Sequence, residues 1–293
     1  MATTEEARPA IRFAPSPNGR LHLGHAYSAL LAHDTARAIG ARFLLRIDDI
    51  DTARCTPEFE QAIYDDLAWL GLSWETPVRR QSEHFSTYRQ AAEELGARGL
   101  LYPCFATRKE IAETVARVAK PAFDPDGAPL YPGLYRNANP EKVAQLMAEG
   151  RPYALRLDMA RARDAVGPAA LTYRVFDLHG GARECLARPE RWGDAVIVRK
   201  DTPTSYHLAN VIDDALQGIT HVIRGTDLEA ATDLHVLLQR LLGLPTPAYH
   251  HHRLILDESG RKLSKSAGDL SLAALREHGA TPEQIRCMVG LAS

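Results

Sequence analysis

Apolar residues follow two rhythms along this chain, and the alternation between them sketches a fold. Short runs rich in Ile, Phe and Leu predict buried strands at Ile11–Ala14 and Phe43–Ile47. Between them, small and apolar positions from His25 to Ile39, closed by Gly40, predict a helix packed on a sheet. Thr56-Pro57 supplies an N-cap and a first-turn proline for a helix whose Phe59, Ile63, Leu67 and Leu70 share one face. Strand, helix, strand, helix is the start of a parallel α/β sheet. From about Leu101 to Lys200 the rhythm breaks. Pro121, Pro125, Pro129 and Pro132 interrupt it, and short strand candidates follow at Tyr153–Leu157, Leu171–Phe176 and Ala195–Arg199. Alternation then returns, with a strand at Ile219–Arg224, a helix at Ala230–Leu242 and a strand at Tyr249–Leu256. Leu270–Glu277 and Pro282–Val289 read as closing helices, the second capped by Thr281. The expected division is 1–100 and 201–256 as two halves of one parallel-sheet domain, 101–200 as an α+β insertion, and 257–293 as a loop with a short C-terminal helical segment.

Composition narrows the class without changing this outline. The 293 residues, 45% hydrophobic and 25% charged, are ordinary for a globular protein with a full core. No secretory leader is read in the polar stretch from Met1 to Pro9, and no apolar run is long enough to span a membrane. The scattered Cys55, Cys104, Cys185 and Cys287 give no disulfide framework, so a reducing, cytoplasmic setting is expected. A net charge of −2 argues against a protein that coats nucleic acid by bulk charge. Arg151 to Lys200 nevertheless holds ten Arg or Lys against six Asp or Glu. That surplus fits either a phosphate-docking surface or a solvated face.

Two short motifs carry the candidate chemistry. His22-Leu23-Gly24-His25 opens the first predicted helix, where unpaired N–H groups and a partial positive charge face outward and suit phosphate. Gly24 lets a flat base or ribose approach the backbone, and the imidazoles can donate to phosphate oxygens. Read alone, the motif fits equally a helix start with two solvated histidines. Lys262-Leu263-Ser264-Lys265-Ser266 lies between Gly260 and Gly268, a loop suited to closing over a departing pyrophosphate. Alone, it fits a solvent-exposed loop as well.

Together, in this order, the motifs resemble the two ATP-binding signatures of class I aminoacyl-tRNA synthetases. Arg12-Phe13-Ala14-Pro15-Ser16-Pro17, Arg46-Ile47-Asp48-Asp49-Ile50-Asp51, Tyr206-His207-Leu208-Ala209-Asn210 with Asp213-Asp214, and Ile223-Arg224-Gly225-Thr226-Asp227 extend the resemblance to the glutamyl branch, collinear from about residue 11 to 270. The resemblance implies a Rossmann-type catalytic domain that activates L-glutamate with ATP and Mg2+. It places His22, Gly24, His25, Lys262, Ser264 and Lys265 at ATP, with His22, His25 and Lys265 stabilising the charge that develops in the reaction. Arg12 and Tyr206, with Asn210, would hold the γ-carboxylate, and Arg224 the α-carboxylate. Ala14, Ser16 and Asp48 would line the α-amino side, with Phe13 and Pro15 in the same wall. Guanidiniums grip carboxylates through paired charge-assisted bonds, and exchanging the carboxylate for an amide would lose about 1.5–3 kcal/mol, so glutamine should be rejected.

Two departures from the branch stand out. Asp48 occupies a position where glutamate is usual. A zinc pattern of Cys-x-Cys followed by Tyr-x3-Cys is met only at Cys104 and Tyr131, with Ala106 and Tyr135 at the other positions, so no zinc is expected. The chain runs 27 residues beyond Ser266, so no anticodon-binding domain is expected. That resembles the short form of the branch, which esterifies glutamate onto the queuosine base at the wobble position of tRNA(Asp). The implied partners are L-glutamate, ATP and the anticodon loop of that tRNA, for a monomer with no membrane association. Rival expectations are a truncated enzyme charging a tRNA 3′ end, a catalytically inactive RNA-binding paralogue, and a small-molecule ligase on the same fold.

Overall fold

The computed structural model describes residues 8–256 and 270–291. Its strands are β1 (Ala10–Phe13), β2 (Arg42–Ile47), β3 (Glu75–Arg80), β4 (Leu101–Cys104), β5 (Ala154–Leu157), β6 (Thr172–Phe176), β7 (Ala182–Leu186), β8 (Val196–Val198), β9 (His221–Gly225) and β10 (Ala248–His252). The helices are α1 (Leu23–Ala38), α2 (Pro57–Trp69), α3 (Phe85–Ala97), α4 (Arg108–Val115), α5 (Pro140–Ala148), α6 (Met159–Val166), α7 (Tyr206–Leu216), α8 (Ala231–Leu241), α9 (Leu272–Glu277) and α10 (Pro282–Met288). The expected strand–helix alternation appears, with boundaries shifted by a few residues.

Seven strands form the main sheet in the order β3-β2-β1-β9-β10-β6-β7. All neighbours are parallel except the β6–β7 hairpin. This is the Rossmann-type α/β architecture expected. The stretch 101–200, expected as an α+β insertion, contributes strands to two sheets. The hairpin from that stretch joins the main sheet beside β10, and only β4, β5 and β8 form a small antiparallel sheet of their own. Short strand signals do not state which sheet they extend, because that depends on partners distant in the chain.

The period of two along each strand divides the core. Ile11, Phe13, Phe43, Leu45, Ile47 and Ile223 pack together with Leu30 of α1 and Ile63 and Leu67 of α2. Leu44, Val222 and Tyr249 alternate with them and pack with Tyr88 of α3, Leu208 of α7 and Leu234 of α8. Arg12 pairs in register with Leu44, and Arg224 with His251. Arg12, Arg46, Arg224 and His251 therefore share this second face, beneath α7 and α8. Chain order reverses between β1 and β9, and in such sheets ligands bind in the crevice at the C-terminal ends of the flanking strands. Among the described residues no helix is long and apolar enough to cross a membrane.

Candidate functional site

A cavity of about 1020 Å³ opens at that switch point. Its wall is built from the segment after β1 (Ala14, Pro15, Ser16, Gly19), the start of α1 (His22, Gly24, His25), the end of β2 (Asp48), the first turns of α7 (Tyr206, Asn210) and the end of β9 (Arg224, Gly225), with Arg12 and Phe13 at its floor. Every described residue expected at the site thus meets at one cavity. Lys262, Ser264 and Lys265 lie outside the described residues; Ile255 and Ser271, on either side of that stretch, both line the cavity.

The imidazole pair is set by helix capping. His22 is the N-cap of α1, and its Nδ1 accepts from the Gly24 N–H at 3.1 Å. His25 returns the bond, its Nδ1 accepting from the His22 N–H at 3.2 Å. Backbone N–H groups only donate, so both Nδ1 atoms are acceptors and each neutral ring carries its proton on Nε2. The ring centroids lie 3.8 Å apart. Two Nε2–H donors are thereby supplied by one helix start, in the tautomer suited to a phosphate oxygen. Gly24 has a role beyond the ligand approach expected: a Cβ there would lie 3.0 Å from His22 Cε1, so a side chain would press on the imidazole. A bridge between His22 and Ser271, with the Leu272 N–H donating to the Leu21 carbonyl at 2.8 Å, ties α9 to the same corner.

Below the imidazoles sits a buried charge network. Arg12 donates through Nε to Asp214 Oδ1 at 2.9 Å and through Nη2 to Asp214 Oδ2 and Asn210 Oδ1, both at 3.2 Å. Arg46, wholly buried, donates to Asp214 Oδ1 at 2.6 Å, Asn210 Oδ1 at 2.9 Å and Asp48 Oδ1 at 2.7 Å. Burial pushes the Asp214 carboxyl upward, but Arg12 and Arg46 outweigh it and hold it below the ordinary range. At Asp48 burial prevails over the pull of Arg46, and its carboxyl is raised to about 6. The resemblance gives Arg12 a role in holding the γ-carboxylate. The structure shares its charge with Asp214, so Arg12 is both ion-paired and cavity-lining.

Arg224 is treated differently. It is 4% exposed, and its hydrogen-bond acceptors are all uncharged. Nη1 donates to the Tyr206 hydroxyl and to His235 Nδ1, both at 3.2 Å, and Nη2 to Thr232 Oγ1 at 2.8 Å. Burial, reinforced by Arg224, lowers the His235 pKa well below its usual value, takes His207 down to about 4 and His251 to about 3. The surrounding imidazoles are therefore neutral. Among the described residues no carboxylate pairs with Arg224, and its buried Nε has no partner. A buried cation of this kind attracts an anion.

Sequence reasoning missed Arg46, Asp214, Thr232 and His235 as organisers of the site. The available signals were a charge inside the apolar run of β2 and acids on the buried face of α7. At the positions of the zinc pattern, Cys104 Sγ donates to the Tyr131 hydroxyl at 3.2 Å, within a small cluster that includes Tyr102 and Ala106 and packs against Tyr135. Arg156 lies over the Tyr131 ring at 3.9 Å. One thiol and one phenol cannot complete a four-coordinate set.

Comparison with known proteins points the same way as the geometry. The family described as tRNA synthetases class I (E and Q), catalytic domain, matches residues 10–292. A glutamyl-Q tRNA(Asp) synthetase of Rhodobacter capsulatus is 47% identical over 288 residues, 96% of this chain and 99% of that protein. A glutamate–tRNA ligase of Aquifex aeolicus is 39% identical, covering 95% of this chain but 56% of its own length. The crystal structure of a glutamate-tRNA synthetase from Elizabethkingia anophelis superposes with a TM-score of 0.75 at 30% identity, over 96% of this chain and 61% of that one. The chain spans about three fifths of these longer ligases and nearly all of the short relative.

Proposed function

The chain belongs to the catalytic-domain family of the class I tRNA synthetases for glutamate and glutamine, and on that premise we propose that it activates L-glutamate with Mg·ATP and transfers it to the queuosine base of tRNA(Asp). It is a ligase. The observation that carries the reading is the meeting, at one switch-point cavity, of a capped imidazole pair with two buried guanidiniums of different electrostatic character. Rossmann-type folds place nucleotides there.

In the first step the α-carboxylate of glutamate attacks the α-phosphorus of ATP, forming an acyl–phosphate bond and releasing pyrophosphate. The Nε2–H groups of His22 and His25 donate to phosphate oxygens as negative charge builds, joined by Lys265. Arg224 orients the α-carboxylate and Arg12 with Tyr206 and Asn210 the γ-carboxylate, so that positioning supplies much of the rate. Asp48 faces the ammonium. In the second step a hydroxyl of the queuosine cyclopentenediol attacks the activated carbonyl, expelling AMP. No protein nucleophile is needed. The match to a short relative over 99% of that relative supports the queuosine acceptor over a tRNA 3′ end.

Pyrophosphate exchange without tRNA tests the first step. Glutamate should support exchange, glutamine should not, and Lys265→Ala should abolish it. Equal exchange with glutamine, or normal exchange by Lys265→Ala, contradicts the assignment.

A further inference from the structure

Other guanidiniums near this site are held by acids: Arg12 by Asp214, Arg46 by Asp48 and Asp214, Arg79 by Asp213, and Arg191 by Asp233. Arg224 departs from that habit. Hydrogen-bond direction makes its surroundings readable atom by atom. An arginine only donates, so His235 Nδ1 must accept, and the His235 proton resides on Nε2. That Nε2–H then donates to His207 Nδ1, 3.2 Å away. His207 is in turn braced edge-on against Trp192, with ring centroids 5.3 Å apart. On the other side, Thr232 Oγ1 accepts from Arg224 and lies 3.1 Å from His251 Nε2. A guanidinium has five N–H donors. Three are used on Tyr206, His235 and Thr232, leaving the Nε–H and one N–H of the adjacent Nη2. The Nε–H is buried, so the undivided positive charge and the remaining Nη2 donor are what Arg224, a cavity-lining residue, offers a carboxylate.

We infer that His235, a residue that lies outside the cavity wall, is a positioning residue for amino-acid selection: its Nδ1 fixes the Arg224 guanidinium without neutralising it, so that the full positive charge remains for the substrate carboxylate. The inference rests on the reading of the cavity as the glutamate site. An acid in place of His235 would hold Arg224 at least as firmly and yet satisfy its charge internally. A purely structural role would be indifferent to that charge. The relay to His207 keeps the acceptor nitrogen turned towards Arg224, because the opposite tautomer would set N–H against N–H.

The test is pyrophosphate exchange at varied glutamate and varied ATP, with wild type, His235→Asn, His235→Ala and His235→Glu, each checked by thermal melting. Asparagine presents an acceptor oxygen close to the position of Nδ1 and should keep the KM for glutamate within about twofold of wild type. His235→Glu should raise that KM by about 10- to 150-fold, the equivalent of losing one charge-assisted contact, while the KM for ATP stays unchanged. His235→Ala should raise it by a smaller factor, with asparagine restoring it. If His235→Glu does not fold, the alanine and asparagine pair decides: an unchanged glutamate KM in His235→Ala overturns the inference. So does a rise in both KM values in parallel. Absence of glutamate-dependent exchange in wild type would instead overturn the glutamate reading, and this inference with it.

Discussion

Asp214→Asn probes the charge network beneath the cavity by changing one oxygen to an amide nitrogen at constant size. In the native structure Asp214, 2% exposed, accepts from Arg12 at 2.9 and 3.2 Å and from Arg46 at 2.6 Å, joining α7 to β1 and β2. The amide keeps one acceptor but turns an NH2 group towards a guanidinium, leaving two buried cations with Asp48 as their remaining acid. Breaking a buried ion pair from one side costs about 3–5 kcal/mol. Asn210 and Asp48 still accept from the guanidiniums, which favours the lower figure. At about 2–4 °C per kcal/mol, a loss of about 3 kcal/mol lowers Tm by about 6–12 °C. The pH dependence has a definite sign. A carboxylate whose folded-state pKa is depressed stabilises fully above its unfolded value, here 3.8, and loses that contribution as pH falls through the lower folded value. The gap in Tm between wild type and variant should therefore stay constant between about pH 7 and 8, where Asp48 is also ionised, shift as Asp48 titrates near 6, and lose the Asp214 contribution only in stronger acid. Differential scanning calorimetry across that range measures both. A Tm within about 2 °C of wild type, less than 1 kcal/mol, would refute the reasoning, as would a gap that narrows near neutrality.

Further outcomes follow from individual groups. Asp48 titrates at about 6, so if its anion holds the substrate ammonium, the KM for glutamate rises as pH falls through that value, and Asp48→Asn shows a high KM with no such limb; identical pH profiles would exclude the contact. His22→Asn keeps a good N-cap and so should alter stability by less than about 1 kcal/mol, yet it removes an Nε2–H donor and should slow exchange by about 10²–10³-fold; a rate loss matched by an equal loss of Tm would reduce His22 to a cap. Because Cys104 and Tyr131 are bonded to each other in a small apolar cluster, chelation followed by zinc addition should leave Tm unchanged; stoichiometric zinc by atomic emission would contradict the assignment.

Much of this arrangement is legible in the chain, for physical reasons specific to certain residues. The N-cap at Thr56 with Pro57, the glycine closing α1 and the alternating strands of β1 and β2 are local devices, read over a few residues. The cavity-lining residues are legible through the motifs around Arg12, His22, Tyr206 and Arg224 that carry the family resemblance, and the structure brings those motifs to one cavity. The partnerships were not legible. Arg12 and Asp214 are separated by 202 positions and Arg46 and Asn210 by 164, and nothing in local periodicity pairs them. His235 is harder still: in a helix buried nearly all round, a histidine at 0% exposure looks like any core position until its acceptor nitrogen is seen against a guanidinium. The β6–β7 hairpin was assigned to the insertion for the same reason, since a strand's sheet is decided by its neighbours.

The most direct test of the account is transfer of labelled glutamate to tRNA(Asp) taken in parallel from queuosine-replete and queuosine-deficient cells. Stoichiometric transfer to the first and none to the second, with the label surviving blockage of the 3′ terminus, is the predicted result. Equal labelling of both, lost when the 3′ end is blocked, would show a 3′-charging enzyme and contradict the proposed acceptor.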